Sequence, residues 1–435
     1  MGFVLADSAI VTLALPEILR RLGGTVGQVA WVLIAFNLVL AVVVVPAAWA
    51  CTRWDPAPLC AGGIAVFASA SAVCALAGSM PVLIGARCVQ AFGGAFALVG
   101  CLELLVAATD EQRGIARWIA AGVIGTAVGP VAGGLLTEAI SWQAIFVVQV
   151  PVAVLAVPAA FTATSKPVRR VDVHRPAVGP NLALALLSAA LTAALFLLVL
   201  LLVDGWGRSP ATAALTVSVV PIAAFIATPL ARRVRAGPRA ETVAGCLLVA
   251  GGLAGLALPP SADLAWKIAP QALIGFGLGL TVDRLTVAAL RDRLPRALHG
   301  GWTISARHLG VVLGLALLTP VFTADLRDAQ VPAQQAITAL VLDAPLRTPD
   351  KIAVARALGD QLSAQRGRVP DLHPVFAHLQ LAPSDRPAAA QLERNLNGQL
   401  ERAATRAFRD SFLIAAGLAL LALAPLLPLR RRTGP

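Results

Sequence analysis

Charge is what this sequence has least of. Asp, Glu, Lys and Arg make up 13% of its 435 residues, about half the share usual in soluble domains, which leaves too little polar surface to clothe a water-soluble fold. The mean hydropathy of +0.79 and the hydrophobic share of 58% agree. Soluble enzymes, nucleic-acid-binding modules and disordered scaffolds are excluded on this ground. Histidine is scarce as well. Of the five, only His308 is expected inside an apolar run, so the clustered His, Asp and Cys of a membrane enzyme cannot be assembled and no metal site is expected. The six cysteines, Cys51, Cys60, Cys74, Cys88, Cys101 and Cys246, lie in or beside apolar runs with no pair at metal-ligand or redox spacing, and read as small hydrophobes. A cleavable leader is not expected either: Met1–Ala6 is short and lacks a basic region, so the start should run directly into a span.

Long apolar runs are what the chain has instead. Twelve stretches are long enough to cross a bilayer, which takes about 20 residues: 2–19, 28–51, 58–78, 81–107, 114–137 and 143–163, then 182–203, 211–231, 242–259, 264–290, 301–323 and 411–429. They are uniformly rich in Ala, Leu and Val. Short alternating strands of a barrel would look different, so the expected fold class is an all-α polytopic membrane protein.

The formal charge of +12 then becomes a statement about orientation. Loops after even-numbered spans, and the tail, carry Arg53; Arg113 and Arg117; Lys166, Arg169, Arg170 and Arg175; Arg232, Arg233, Arg235 and Arg239; Arg291, Arg293 and Arg296; and Arg430, Arg431 and Arg432. The short loops on the opposite side carry only Arg20, Arg21, Arg208 and Lys267. Positive charge collects on the cytoplasmic side, so both termini are expected there. The basic, proline-bearing segment 164–181 reads as a cytoplasmic linker between an N-terminal six-helix bundle (1–163) and a C-terminal one (182–435). Residues 325–410 are polar, with eleven Lys/Arg and ten Asp/Glu, and are expected outside. Thr348-Pro349-Asp350 looks like a helix start. Ser384-Asp385-Arg386-Pro387 looks like another, carrying Leu392, Leu396 and Leu400 on one face into the last span. This segment reads as a solvated loop with some helix, or as a cap over the outer mouth or a docking surface for an external partner.

An ionisable side chain in hydrocarbon costs roughly 2.5–3.5 kcal/mol or more, so each one is a candidate for function. Asp7 in the first span is a candidate proton carrier, unless water reaches it from the cytoplasmic end. Arg87 and Gln90 in the fourth span would face a cavity, unless Arg87 snorkels to the interface. Glu103 is either a second protonation site or an end-of-helix acid paired with Arg113 or Arg117. Asp283, Arg284, Arg307 and His308 would reach similar depth on antiparallel neighbours and form a charge network, either as a structural ion pair or as a proton relay through His308. The fifth span adds Gly125, Gly129-Pro130 and Gly133-Gly134, small residues that let another helix approach closely, with a proline that bends the helix.

The string GVIGTAVGPVAGG resembles the fifth-helix antiporter motif of the major facilitator superfamily, in its drug:proton antiporter branch of the EmrB/QacA-like type. LADSAIVTLALPEI resembles that branch's first-helix signature, with Asp7 on the acidic residue and Pro16 on a helix-ending proline. LIGARCVQAFGGA resembles the fourth-helix motif, with Arg87 on its arginine and Gln90 on its glutamine. SWQAIFVVQVPVA, GFGLGL, LPRALHG and ARHLGVVLGLAL resemble the sixth, tenth and eleventh helices, with Arg307 on a recurrent arginine. The resemblance implies two six-helix bundles around a central cavity in the cell membrane. It also implies export of small hydrophobic or amphiphilic, drug-like compounds in exchange for protons, by alternating access.

No cofactor is implied, since the proton gradient supplies the energy; the partners would be substrate, protons and the lipid bilayer, with no nucleic acid. Asp7, Arg87 and Glu103 would couple protons, Gln90 would line the cavity, and Gly125, Gly129, Pro130, Gly133 and Gly134 would form the conformational motif. The sequence departs from the family pattern after the second span. There AWACTRWDPAP places Ala48, Thr52 and Asp55 where glycine, aspartate and glycine are usual, and only Arg53 is kept. The stretch before Asp7 is short for the family, and the linker leads straight into the seventh of twelve spans where many relatives have fourteen. Export of a lipid or secondary metabolite, or substrate binding with impaired transport, are the alternatives left open.

Overall fold

The computed structural model describes residues 2–162, 173–234, 237–258, 263–364, 372–378 and 384–426. Residues 164–172 of the expected linker, Arg235 and the basic tail Arg430–Arg432 lie outside the described residues. Twelve helical stretches are long and apolar enough to cross a membrane. The first six are α1 (Gly2–Leu22), α2 (Val26–Arg53), α3 (Pro56–Ala75), α4 (Met80–Ala108), α5 (Glu111–Ala139) and α6 (Ala144–Ala156), the last prolonged by a short turn at Pro158–Phe161. The second six are α7 (Val178–Leu200), α8 with α9 (Pro210–Val217 and Val219–Val234), α10 (Pro238–Ala257), α11 (Ala265–Leu290), α12 (Arg296–Asp343), and α15 with α16 (Arg386–Ala407 and Arg409–Leu421). Between α12 and α15 lie α13 (Thr348–Ala364) and α14 (His373–His378).

Local signals set several boundaries. Thr25 and Gln28 form a capping box at α2, with the Gln28 amide donating to Thr25 Oγ1 at 3.3 Å and the Thr25 amide donating to Gln28 Oε1 at 2.9 Å. Asp55 accepts from the Ala57 amide at 2.9 Å, with Pro56 opening α3. The departure from the family's loop pattern is therefore a working helix cap. Pro16, read as ending the first helix, lies inside it, since α1 continues to Leu22. α7 begins at Val178, four residues ahead of its expected start.

The two halves repeat one packing scheme. Gly63 and Gly93 meet backbone to backbone where α3 crosses α4, and Gly245 and Gly277 do the same where α10 crosses α11. On α5, Gly125, Gly129 and Gly133 lie against the carbonyls of Gly2, Ala6 and Ile10 of α1; on α12, Gly310 and Gly314 lie against those of Ala185 and Ala189 of α7. Glycine at every fourth position removes the side chains that would hold two helix axes apart. Each half thus binds its first helix to its fifth, and its third to its fourth, by the same device.

The second half differs in one respect. Its fifth spanning helix does not stop at the expected residue 323 but runs 48 residues, to Asp343. At 1.5 Å per residue that is about 72 Å, more than twice a bilayer's hydrocarbon core. The segment 325–410 is therefore mostly helical where described. Val341, Leu358, Leu372 and Leu396 share a separate small core with Leu392 and Leu400 of α15. This module is held to the second half by Trp206 Nε1 donating to Thr405 Oγ1 at 3.0 Å and by Phe408, whose ring lies 4.2 Å from that of Phe322.

Candidate functional site

Successive spans run in opposite directions, so α1, α3, α5, α7 and α12 all begin at one end of the bundle, here the near end; the helical module lies at the far end. Within the first half, four helices, α1, α3, α4 and α6, bring one polar cluster together. Asp7 of α1 accepts from the Arg87 guanidinium of α4 at Oδ2 and from Gln149 Nε2 of α6 at Oδ1, 2.8 Å away. Arg87 Nη1 also donates to Gln90 Oε1 at 2.5 Å, and Gln90 Nε2 donates to Ser71 Oγ at 2.7 Å and to Gln149 Oε1 at 2.8 Å. The Arg87 guanidinium sits 4.0 Å from the centre of the Phe36 ring. Asp7, Arg87, Gln90 and Ser71 are 0% exposed. Arg87 therefore does not snorkel, and Asp7 is not reached by bulk water.

Sequence reasoning missed Gln149 and Ser71. Gln149 is the one polar side chain within an apolar sixth span, which was the available signal. Gln90 is a correction: expected to line the cavity, it is enclosed within this cluster, where Arg87, Ser71 and Gln149 all bond its amide.

The cavity lies between the halves and measures about 1480 Å³. It runs from Ser8, Thr12, Asn37 and His308 at membrane depth to Gln112, Arg291 and Asp292 at the near end. Toward the far end α5 and α8 close together, Gly134 lying against Pro210 and Ala214, and Glu138 accepting from the Ala211 amide at 2.8 Å. Gly134 thus faces the other half, unlike Gly125, Gly129 and Gly133. Pro130 lies inside α5 and lines the cavity.

The four charged candidates of the second half do not form one network. Arg284 pairs with Glu241 of α10 at 2.7 Å, an acid that sequence reasoning passed over because it opens its helix. His308 Nδ1 lies 2.6 Å from Asn37 Oδ1 of α2, across the two halves. Asp283 and Arg307 alone stay together, both lining the cavity and interacting electrostatically. Glu103 is placed beside Arg296 and the Ala297 amide of α12 rather than beside Arg113, which pairs with Asp110 at 3.3 Å. His299, expected in a loop, is inside α12 and buried.

A model of the Major Facilitator Superfamily matches residues 1–315. The chain belongs to this superfamily. Family and fold are those of transporters, not enzymes, and place the chain in a membrane as a multi-pass protein. Over 156 residues it is 35% identical to the Multidrug resistance protein Stp of Mycobacterium tuberculosis (strain CDC 1551 / Oshkosh), covering 35% of this chain and 29% of that one. Over 172 residues it is 30% identical to the Methylenomycin A resistance protein of Bacillus subtilis (strain 168), covering 38% and 37%. These matches span about a third of each relative's length. A longer match, 24% identical over 498 residues and covering 96% of this chain and 86% of the relative, is to the Multidrug resistance protein B homolog of Mycobacterium tuberculosis (strain ATCC 25618 / H37Rv). Among solved structures, a bacterial homolog of the human lysosomal transporter Spinster, in an inward-facing and occupied conformation, shares the fold with a TM-score of 0.59 at 19% identity, covering 98% of this chain and 94% of that one.

Proposed function

We propose that this superfamily member exports small hydrophobic or amphiphilic, drug-like compounds in exchange for protons, by alternating access. The observation that carries this reading is the Asp7–Arg87 pair, 0% exposed and set directly behind the cavity wall formed by Ser8, Thr12 and Asn37. A buried carboxyl bonded to one guanidinium and one amide cannot change its hydrogen bonding without rearranging those neighbours. Asp7 sits on the helix that the α5 glycines grip, so such a rearrangement reaches the seam between α1 and α5.

The basic loops support a cytoplasmic near end, so that the cavity as seen is loaded from inside. The energy source is the proton gradient, without a cofactor, and the far-end module would be the site for any external partner. The relatives named as multidrug resistance proteins support the drug-like class. The test is proton flux in proteoliposomes: adding substrate should draw protons in the opposite direction, and substrate movement without any proton movement would sink the proposal.

A further inference from the structure

Among the described residues, acids and arginines line the cavity in matched numbers. There are three of each: Glu241, Asp283 and Asp292 against Arg284, Arg307 and Arg291. Each acid has an arginine beside it. Glu241 and Arg284 are 2.7 Å apart, Arg291 and Asp292 3.9 Å at the exposed mouth, and Asp283 acts on Arg307 at membrane depth. The remaining pair of the core, Asp7 and Arg87, is enclosed behind the wall and does not line the cavity. The rest of the deep surface is apolar, with Leu5, Ile119, Val123, Leu191, Leu195 and Phe225, or carries the polar side chains of Ser8, Thr12, Asn37 and His308.

A lipophilic cation entering such a space would have to leave water without meeting an uncompensated carboxylate, and would lie close to the Arg307 guanidinium. Both effects are strong where the dielectric is low. A neutral or zwitterionic compound with a carbonyl or phosphoryl oxygen suffers neither. Arg307 carries five N–H donors in a fixed fork that suits such an acceptor. We infer that the cavity selects neutral or zwitterionic amphiphiles bearing a strong hydrogen-bond acceptor, and rejects lipophilic cations, because Arg307 balances Asp283. The inference rests on the export reading but concerns binding alone.

The experiment uses two probes of nearly the same size and shape, tetraphenylphosphonium and the uncharged triphenylphosphine oxide, titrated calorimetrically into the full chain in nanodiscs with no proton gradient. The wild type should bind the oxide at least about tenfold more tightly than the cation. Arg307→Gln removes the guanidinium that acts on Asp283 and should reverse that preference. Arg307→Gln combined with Asp283→Asn restores the balance and should restore rejection of the cation, which a merely misfolded single variant could not do. Equal or tighter binding of the cation by the wild type, or no gain for the cation in Arg307→Gln, would overturn the inference. So would binding of neither probe by any of the three proteins. Failure of proton exchange with these binding preferences intact would strike the transport reading only.

Discussion

Gln149 and Arg87 hold opposite oxygens of one carboxylate: Gln149 Nε2 reaches Asp7 Oδ1 at 2.8 Å while the guanidinium holds Oδ2. Gln149 therefore belongs to the same unit as the two ionised residues, although 142 positions separate it from Asp7. Replacing it with leucine removes one of the two side chains that hydrogen-bond the Asp7 carboxyl. Gln149→Leu should remain inserted and folded but move the pH at which substrate releases protons, measured across pH in detergent. An unchanged profile would reduce Gln149 to packing.

Charge and stability can be separated at the pair itself. Asp7→Asn strands the Arg87 guanidinium, at a cost of about 3–5 kcal/mol for a fully buried partner. Asp7→Asn with Arg87→Gln removes both charges and should recover most of that stability, since replacing a whole buried pair is often close to neutral. Neither variant should release protons on substrate addition. Release from the double variant would place the proton site elsewhere, with Glu103 the next candidate.

The glycine seams make a paired prediction. Gly129 lies 3.1 Å, measured from where a Cβ would stand, from the Ala6 carbonyl oxygen, so Gly129→Leu should push α5 from α1 and cost about 1–3 kcal/mol of overpacking. Gly314→Leu should do the same to α12 and α7. Export should be lost in both while membrane insertion persists. Normal export by either would show that its seam tolerates separation.

In the far-end module, the Arg347 amide donates to Asp385 Oδ2 at 2.9 Å and the Ser384 hydroxyl to Oδ1. These bonds hold the carboxyl below its ordinary range, the Arg347 amide contributing most. A depressed carboxylate adds stability above its unfolded pKa and loses it as pH falls through the folded one. Acidification below about pH 4 should therefore speed hydrogen exchange around Arg347 and the start of α15 before it affects the spans. Asp385→Asn should remove that pH dependence.

An uncharged substrate has an electrical corollary. Exchanging it for protons moves net charge on every cycle, so a membrane potential alone should drive export, each charge contributing about 2.3 kcal/mol per 100 mV. A potassium diffusion potential with valinomycin, at equal pH on both sides, measures this. Indifference to the potential would mean that the transported compound carries a charge equal to that of its protons.

Element identity was legible because spanning helices announce themselves by length: all twelve spans were visible as apolar runs, and the Gly129-Pro130 string marked its own close contact. What escaped notice were single polar residues inside those runs. Asn37, Ser71 and Gln149 have no periodic companions, and their partners lie on other helices, so nothing local distinguishes them from tolerated exceptions. Lys267 shows the reverse error. It read as a loop charge, yet it is 0% exposed, its ammonium donating to the Leu256 carbonyl at 3.0 Å beneath the Trp206 ring. The end of α12 was misjudged because its polar last turns change composition without changing conformation; only the module packed against them shows why they stay helical.

That long helix makes the far-end module a pointer. α12 extends some fourteen residues past Ala329, where its candidate span ends, or about 21 Å at the helical rise. A rod of that length converts a small tilt at membrane depth into a displacement of several ångströms at its tip. A fluorophore attached at Leu342, which is 66% exposed, would therefore register the attitude of the second half from outside the bilayer, where it disturbs neither seam nor cavity.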